Sequence, residues 1–239
     1  MSGPAQIPGN RPLVVVDVDE VLALFFQGFG RFVARHGYEL RCDRFALFSN
    51  IFAPGAAQHL EIAAGRALFD EFFRTGADLM DPAPGGTEHL EIAAGRALFD
   101  EFFRTGAELM DPAPGAAQAL ALLSRTAEVM ILTNAPGHGR DERARWLVRH
   151  GMDYPLHFNE GPKGPAIARL AMRTRGPVVF VDDLVQHLDS CAEAAPHVRR
   201  FQTVADEALR PLAPSNPNHR RIDGWDDLAR AIEAVILPA

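Results

Sequence analysis

Three short apolar runs stand out along the chain: Leu13 to Val18 (LVVVDV), Glu128 to Thr133 (EVMILT) and Val178 to Asp182 (VVFVD). Each is rich in β-branched residues and breaks off at a polar one, which predicts strands buried on both faces. Helical spacing fills the intervals, as in Ala116 to Arg125 and near Asp141 to Arg149. The tail from Arg199 to Ala239 reads as a strand, a Pro-rich loop over Pro211 to Pro217 and a helix from about Asp226. Alternation of this kind predicts an α/β chain: a three-layer, Rossmann-like parallel sheet with helices on both faces.

The first long interval is different. His59 to Gly85 reads HLEIAAGRALFDEFFRTGADLMDPAPG, and His89 to Gly115 repeats it at an offset of 30 residues with Asp78 replaced by Glu108. Solenoid repeats match only at scattered positions and need about three units to bury a core. Two near-identical copies point instead to a recent duplication of one segment, on a parent of 239 − 30 = 209 residues. In each copy Leu60, Ala64, Ala67, Leu68 and Phe72, or Leu90, Ala94, Ala97, Leu98 and Phe102, form one apolar helix face. Gly76 and Gly106 suit C-terminal caps, and the Asp-Pro-Ala-Pro-Gly stretches at Asp81 to Gly85 and Asp111 to Gly115 break the helix. Thr87 suits the N-cap of the second helix.

Composition adds exclusions. With 47% hydrophobic and 23% charged residues the chain is globular in character, and a net charge of −7 disfavours a broad grip on nucleic acid or anionic membrane while leaving room for a local phosphate site. Cys42 and Cys191 are the only cysteines and form no CxxC pair, so neither a disulfide framework nor a zinc site is expected. Met1 to Pro12 lacks a signal-peptide pattern, and no apolar run is long enough to span a bilayer; a cytoplasmic protein is expected.

The candidate chemistry stands where the strands end. Asp17 and Asp19 close the first, Thr133 and Asn134 the second, and Asp182 and Asp183 the third, with Lys163 between. In open α/β sheets ligands bind beyond the carboxyl ends of the strands, where these groups would converge. Singly, each has a plain reading as a turn former, a helix cap or a solvated lysine. The ordered set of spaced carboxylates, hydroxyl, lysine and carboxylate pair is far more specific.

Those residues resemble the haloacid dehalogenase-like hydrolases. VVVDVDEVL from Val14 to Leu22 resembles the family's first motif, ILTN from Ile131 to Asn134 its second, GPKGPAI from Gly161 to Ile167 its third, and VFVDDL from Val179 to Leu184 its acidic fourth. Glu20 departs from the pattern by standing where a Gly is common, and the next downstream carboxylate, Asp189, lies farther on than the usual spacing. The resemblance implies a phosphohydrolase acting through an aspartyl-phosphate. Asp17 would be the nucleophile, and Asp19 would protonate the leaving alcohol and then activate water. Thr133, the amide of Asn134 and Lys163 would bind the phosphoryl group. A magnesium ion would be held by Asp17, Asp183, the backbone carbonyl of Asp19, and Asp182 directly or through water.

Between Asp17 and Thr133 lie 116 residues of separation, against 30 from Thr133 to Lys163, so an inserted helical cap belongs in the first gap. The expected division is an α/β core of residues 1–24 and 111–239 with a cap over 25–110, the second repeat copy running into the core. Phe25, Phe26, Phe29, Phe32, Phe45, Phe48 and Phe52 would pack in the cap or core, and His138 lies near enough to the second motif to touch substrate. The expected partner is a small phosphorylated metabolite, a nucleotide or deoxynucleotide monophosphate by general resemblance, with the chain a monomer or a homodimer paired through the duplicated helix. Two other outcomes fit the same sequence: a non-catalytic or assembly protein whose extra helix blocks the site or mediates self-association, and a phosphotransferase or mutase.

Overall fold

The computed structural model describes residues 10–47, 50–52 and 97–237. The first repeat copy, with Gly76, the turn from Asp81 to Gly85 and Thr87, lies outside the described residues, as do Phe48, Leu90 and Ala94.

Six parallel strands form the centre: β1 (Leu13–Val16), β4 (Glu128–Thr133), β5 (Leu156–Phe158), β6 (Val178–Asp182), β7 (Arg199–Gln202) and β8 (Arg220–Arg221), in the spatial order β5-β4-β1-β6-β7-β8. A short antiparallel pair, β2 (Glu39–Leu40) and β3 (Ile51–Phe52), stands apart from them. The α-helices whose bounds fall within the described residues are α1 (Phe25–Arg35), α2 (Ala116–Leu123), α3 (Arg140–Arg149), α4 (Gly164–Ala171), α5 (Val185–Ala194) and α6 (Trp225–Ile236).

Alternation along β1 divides the core. Leu13 and Val15 join Met130, Leu132 and Phe180 under α4 and α5, where Ile167, Leu170, Leu188 and Cys191 cover them. Val14 and Val16 face the other way, with Val129, Ile131, Val179 and Val181, beneath Leu120, Trp225, Leu228 and Ile232 of α2 and α6. Period-two side chains on a sheet covered from both sides require this division, and it is the three-layer architecture the sequence predicts.

The second apolar cluster continues into the inserted segment. Phe25, Phe29, Phe32 and Val33 of α1 pack on Leu98, Phe102, Phe103 and Ala107 of the second repeat copy. Phe102 meets the rings of Phe25, Phe29 and Phe32 at 5.3, 5.4 and 5.5 Å between centroids, in edge-on or near edge-on arrangements, the geometry that ring quadrupoles favour.

Three local features differ from the sequence reading. Gly106 is not a left-handed C-terminal cap: its φ is −105°, and the chain runs through a π-helical turn (Phe102–Gly106) into a 3-10 turn (Ala107–Leu109) before extending at Met110. Glycine is needed there for space, because a Cβ would lie 2.5 Å from Phe102 Cδ2 and 2.9 Å from Phe32 Cδ2. The first strand stops at Val16 rather than Val18. The amides of Val21, Leu22 and Ala23 all turn back to the carbonyl of Val18, and Glu20 takes a positive φ of 57°. Finally, the described part of residues 25–110 is not wholly helical, since it contains the β2–β3 pair. In contrast, β4 and β6 begin and end as expected, and α6 begins within a residue of expectation.

Candidate active site

Parallel register aligns the strand ends. Val16 pairs with Ile131 on one side and Val181 on the other, so Asp17, Thr133 and Asp182 emerge at the same edge of three adjacent strands. The Asp17 amide still donates to the Val181 carbonyl at 3.0 Å, which fixes the residue although the strand has ended.

Lys163 ties this edge together. It precedes α4, its side chain is 1% exposed, and its Nζ lies 2.6 Å from Asp17 Oδ1 and 2.7 Å from Asp182 Oδ2. The other Asp182 oxygen, Oδ1, accepts from the Leu184 amide at 2.9 Å. Asp183 completes the group: Asp17, Asp182 and Asp183 each offer an oxygen, all within 4.8 Å of one another. Gln202 steadies that corner by donating from Nε2 to the Asp183 carbonyl at 2.9 Å.

Three buried carboxylates thus face one ammonium. Burial raises the pKa of Asp17 to about 6; Lys163 opposes the rise and Asp182 adds to it. Asp183 is held well above its ordinary range by burial, then by Asp182, Asp17 and Glu20. Burial also works against the charge on Lys163, but its two carboxylate partners outweigh it and raise its pKa. An all-oxygen donor set with excess negative charge, closed on one side by a lysine, is chemically suited to a hard divalent cation.

Thr133 is fully buried. Its Oγ1 accepts from the Ala135 amide at 3.1 Å, leaving the hydroxyl proton to be donated elsewhere. Asn134 uses its side chain structurally: Nδ2 donates to the Gly161 carbonyl at 2.8 Å, and Oδ1 accepts from Asn159 Nδ2 at 2.9 Å. Asn159 also reaches the Gly161 carbonyl, at 3.1 Å. These two amides bind the end of β4 to the loop that presents Lys163.

Asp19 stands apart from the three-carboxylate group. Its side chain is 26% exposed and is gripped by Arg143, whose Nη2 lies 2.7 Å from Oδ1 and 3.0 Å from Oδ2. Burial raises the Asp19 pKa, Arg143 opposes that, and Asp17 reinforces it. Arg143 had no signal in the sequence, being one of several arginines in a polar helix. Asn159 was equally silent.

Glu20 occupies the left-handed conformation that glycine adopts freely, and it is buried. Its Oε1 accepts from the Phe26 amide at 2.7 Å and its Oε2 from the Asp206 amide at 3.2 Å. The side chain therefore links the turn after Asp17 to the start of α1 and to the loop after β7. Asp189 is not with the acidic pair: it binds His219 Nε2 at 2.6 Å and Asn216 at 2.8 Å, anchoring the loop before β8. His138 meets the Asp100 carbonyl of the second repeat copy at 3.1 Å.

This architecture matches solved structures across nearly their whole length. A haloacid dehalogenase-like family hydrolase from Xanthomonas campestris aligns with a TM-score of 0.53 at 12% identity, covering 95% of this chain and 97% of the other. The chain has the haloacid dehalogenase-like fold. A predicted phosphatase from Clostridium acetobutylicum shares that fold at a TM-score of 0.57 and 11% identity, over 94% and 99% of the two chains. So does the Protein Tyrosine Kinase A of Mycobacterium tuberculosis, at 0.54 and 18%, over 93% and 98%. No protein-family model and no curated protein matches the sequence. Because proteins named as hydrolase, phosphatase and kinase share the haloacid dehalogenase-like fold, the reaction has to be argued from the site.

Among the described residues no helix is long and apolar enough to cross a membrane.

Proposed function

We propose that the protein is a magnesium-dependent phosphohydrolase acting on a small phosphorylated metabolite through an aspartyl-phosphate. The observation that carries this reading is the buried cluster of Asp17, Asp182 and Asp183, at the ends of the adjacent strands β1 and β6, against Lys163. Asp17 attacks phosphorus, splitting one displacement into two. Lys163 neutralises charge on the attacking carboxylate and the phosphoryl oxygens, and Thr133 with the Asn134 amide donates hydrogen bonds to those oxygens. Asp19 protonates the leaving oxygen and then takes a proton from the water that hydrolyses the intermediate. Asp17 and Asp183, with the Asp19 carbonyl and Asp182 directly or through water, would hold magnesium, which supplies positive charge to the phosphate. Residues 25–110 serve as the lid over a core formed by 1–24 and 111–239.

The described part of the second repeat copy is consumed internally by α1, with Leu98, Phe102 and Phe103 buried.

The test is hydrolysis of p-nitrophenyl phosphate and a panel of phosphorylated metabolites with magnesium or a chelator. Turnover that requires the metal and disappears in Asp17→Asn is the expected result. Full activity in Asp17→Asn removes the proposed nucleophile, and phosphate appearing on an added alcohol rather than in solution turns the reading to phosphotransfer.

A further inference from the structure

Arg143 is a fully buried guanidinium in α3 with one carboxylate partner, Asp19, among the described residues. Its remaining surroundings are soft or apolar. Nη1 points to Met110 Sδ at 3.8 Å, Cζ stands 5.2 Å from the centre of the Phe103 ring, and Nε is buried without a hydrogen-bond partner. Three residues along the same helix, Trp146 Nε1 donates to the Met110 carbonyl at 3.0 Å. The arginine is therefore clamped between its own helix and the end of the second repeat copy, with its charged tip on Asp19.

We infer that Arg143 is the positioning residue for Asp19, setting the plane and reach of the carboxyl group that exchanges protons with the leaving oxygen and with water. This deepens the phosphatase reading and rests on it. A single nitrogen lying across both Asp19 oxygens fixes the orientation of the carboxyl, while each oxygen keeps a further lone pair for a proton. General acid catalysis needs that oxygen within hydrogen-bond reach of the leaving atom, and a misplacement of about 1 Å costs on the order of 100-fold. Arg143 does not touch the phosphate in this role. It also gives the repeat a bearing on the chemistry, because Phe103 and Met110 hold the arginine that holds the acid.

The prediction separates orientation of an acid from general support of the fold. A proton matters when an alkoxide leaves and matters little when p-nitrophenolate leaves, since the latter is stable as an anion. Turnover of p-nitrophenyl phosphate and of ethyl phosphate is measured for wild type, Arg143→Lys, Arg143→Gln, Asp19→Asn and the Asp19→Asn/Arg143→Gln double variant. Thermal unfolding is followed in parallel.

Arg143→Lys and Arg143→Gln should lose about 100-fold in kcat/KM on ethyl phosphate and less than about tenfold on p-nitrophenyl phosphate, because kcat/KM reports the step in which the alcohol leaves and not the later hydrolysis of the intermediate common to both. Partial unfolding lowers both rates by the same factor, so the ratio of the two substrates is immune to it. In the Asp19→Asn background, Arg143→Gln should cost little more, because the group it positions is gone. Equal losses of kcat/KM on both esters, or an undiminished Arg143 effect in that background, overturn the inference while leaving the phosphatase reading intact. A wild type that turns over neither these esters nor any other phosphate monoester overturns the phosphatase reading and this inference with it.

Discussion

Asp17 and Lys163 form a buried ion pair with 2.6 Å between Oδ1 and Nζ. Because the same ammonium also holds Asp182, it is the counter-charge for a whole strand-end cluster rather than for one carboxylate. Lys163→Met should therefore destabilise the protein by about 3–5 kcal/mol, the usual cost of stranding a buried charge. Urea unfolding at neutral pH in the presence of a chelator checks this, and a loss within about 0.5 kcal/mol of zero would mean that the carboxylates protonate without penalty.

Metal binding should repair the same charge excess from the other side. A hundredfold excess of magnesium over its Kd adds about 2.7 kcal/mol of stability, or roughly 5–10 °C in Tm for a chain of this size. Asp183→Asn should abolish that rise. It should also stabilise the metal-free protein, because burial and then Asp182, Asp17 and Glu20 oppose the ionisation of Asp183. Thermal scans with and without magnesium measure both effects, and an undiminished magnesium response in Asp183→Asn would remove that residue from the ligand set.

Glu20 predicts a pH dependence of stability. Burial first, then Asp206 and Asp19, lift its pKa from 4.5 to about 8, against the amides of Phe26 and Asp206. The folded state thus holds its proton more tightly than the unfolded chain. The resulting stability is fully present below pH 4.5 and is lost progressively as pH rises through about 8. Other buried carboxyls of the site contribute with the same sign, so the diagnostic is a difference. Glu20→Gln should flatten the fall in unfolding free energy between those limits, measured with chelator throughout; parallel curves for the two proteins would show that Glu20 folds already ionised.

Deleting residues 59–88 removes the first repeat copy and leaves every described contact of the second. The shortened chain should unfold within a few degrees of the full one and retain its turnover. A gain in turnover on deletion would show the extra copy to be obstructive. By contrast, Gly106→Val in the full chain drives a side chain into Phe102 and Phe32 and should cost at least 1–3 kcal/mol by overpacking, read from the midpoint of chemical unfolding.

Much of the core is legible in the sequence alone. Strands buried on both faces must be unbroken apolar and β-branched runs, so β4 and β6 could be read to the residue, and the polar residues that end them were candidate ligands by position alone. Chain direction and strand adjacency then required Asp17, Thr133 and Asp182 to share an edge. Even the departure at Glu20 was visible, as a side chain where glycine is common. What it does was not, because a positive φ and hydrogen bonds to Phe26 and Asp206 belong to a turn closed by residues far along the chain.

Residues whose roles depend on distant neighbours carry no local signal. Arg143 meets Asp19 across 124 positions, and in sequence it is one more arginine on a polar helix face. Gly106 looks like a helix stop, yet it is selected by the rings of Phe102 and Phe32 that pass where a Cβ would stand. Local pattern specified the strands and the chemistry at their ends, since periodicity and residue type are properties of neighbours in the chain. Packing alone chose the partners of those groups, because burial, the loss of water and the approach of remote charges exist only once the layers have closed.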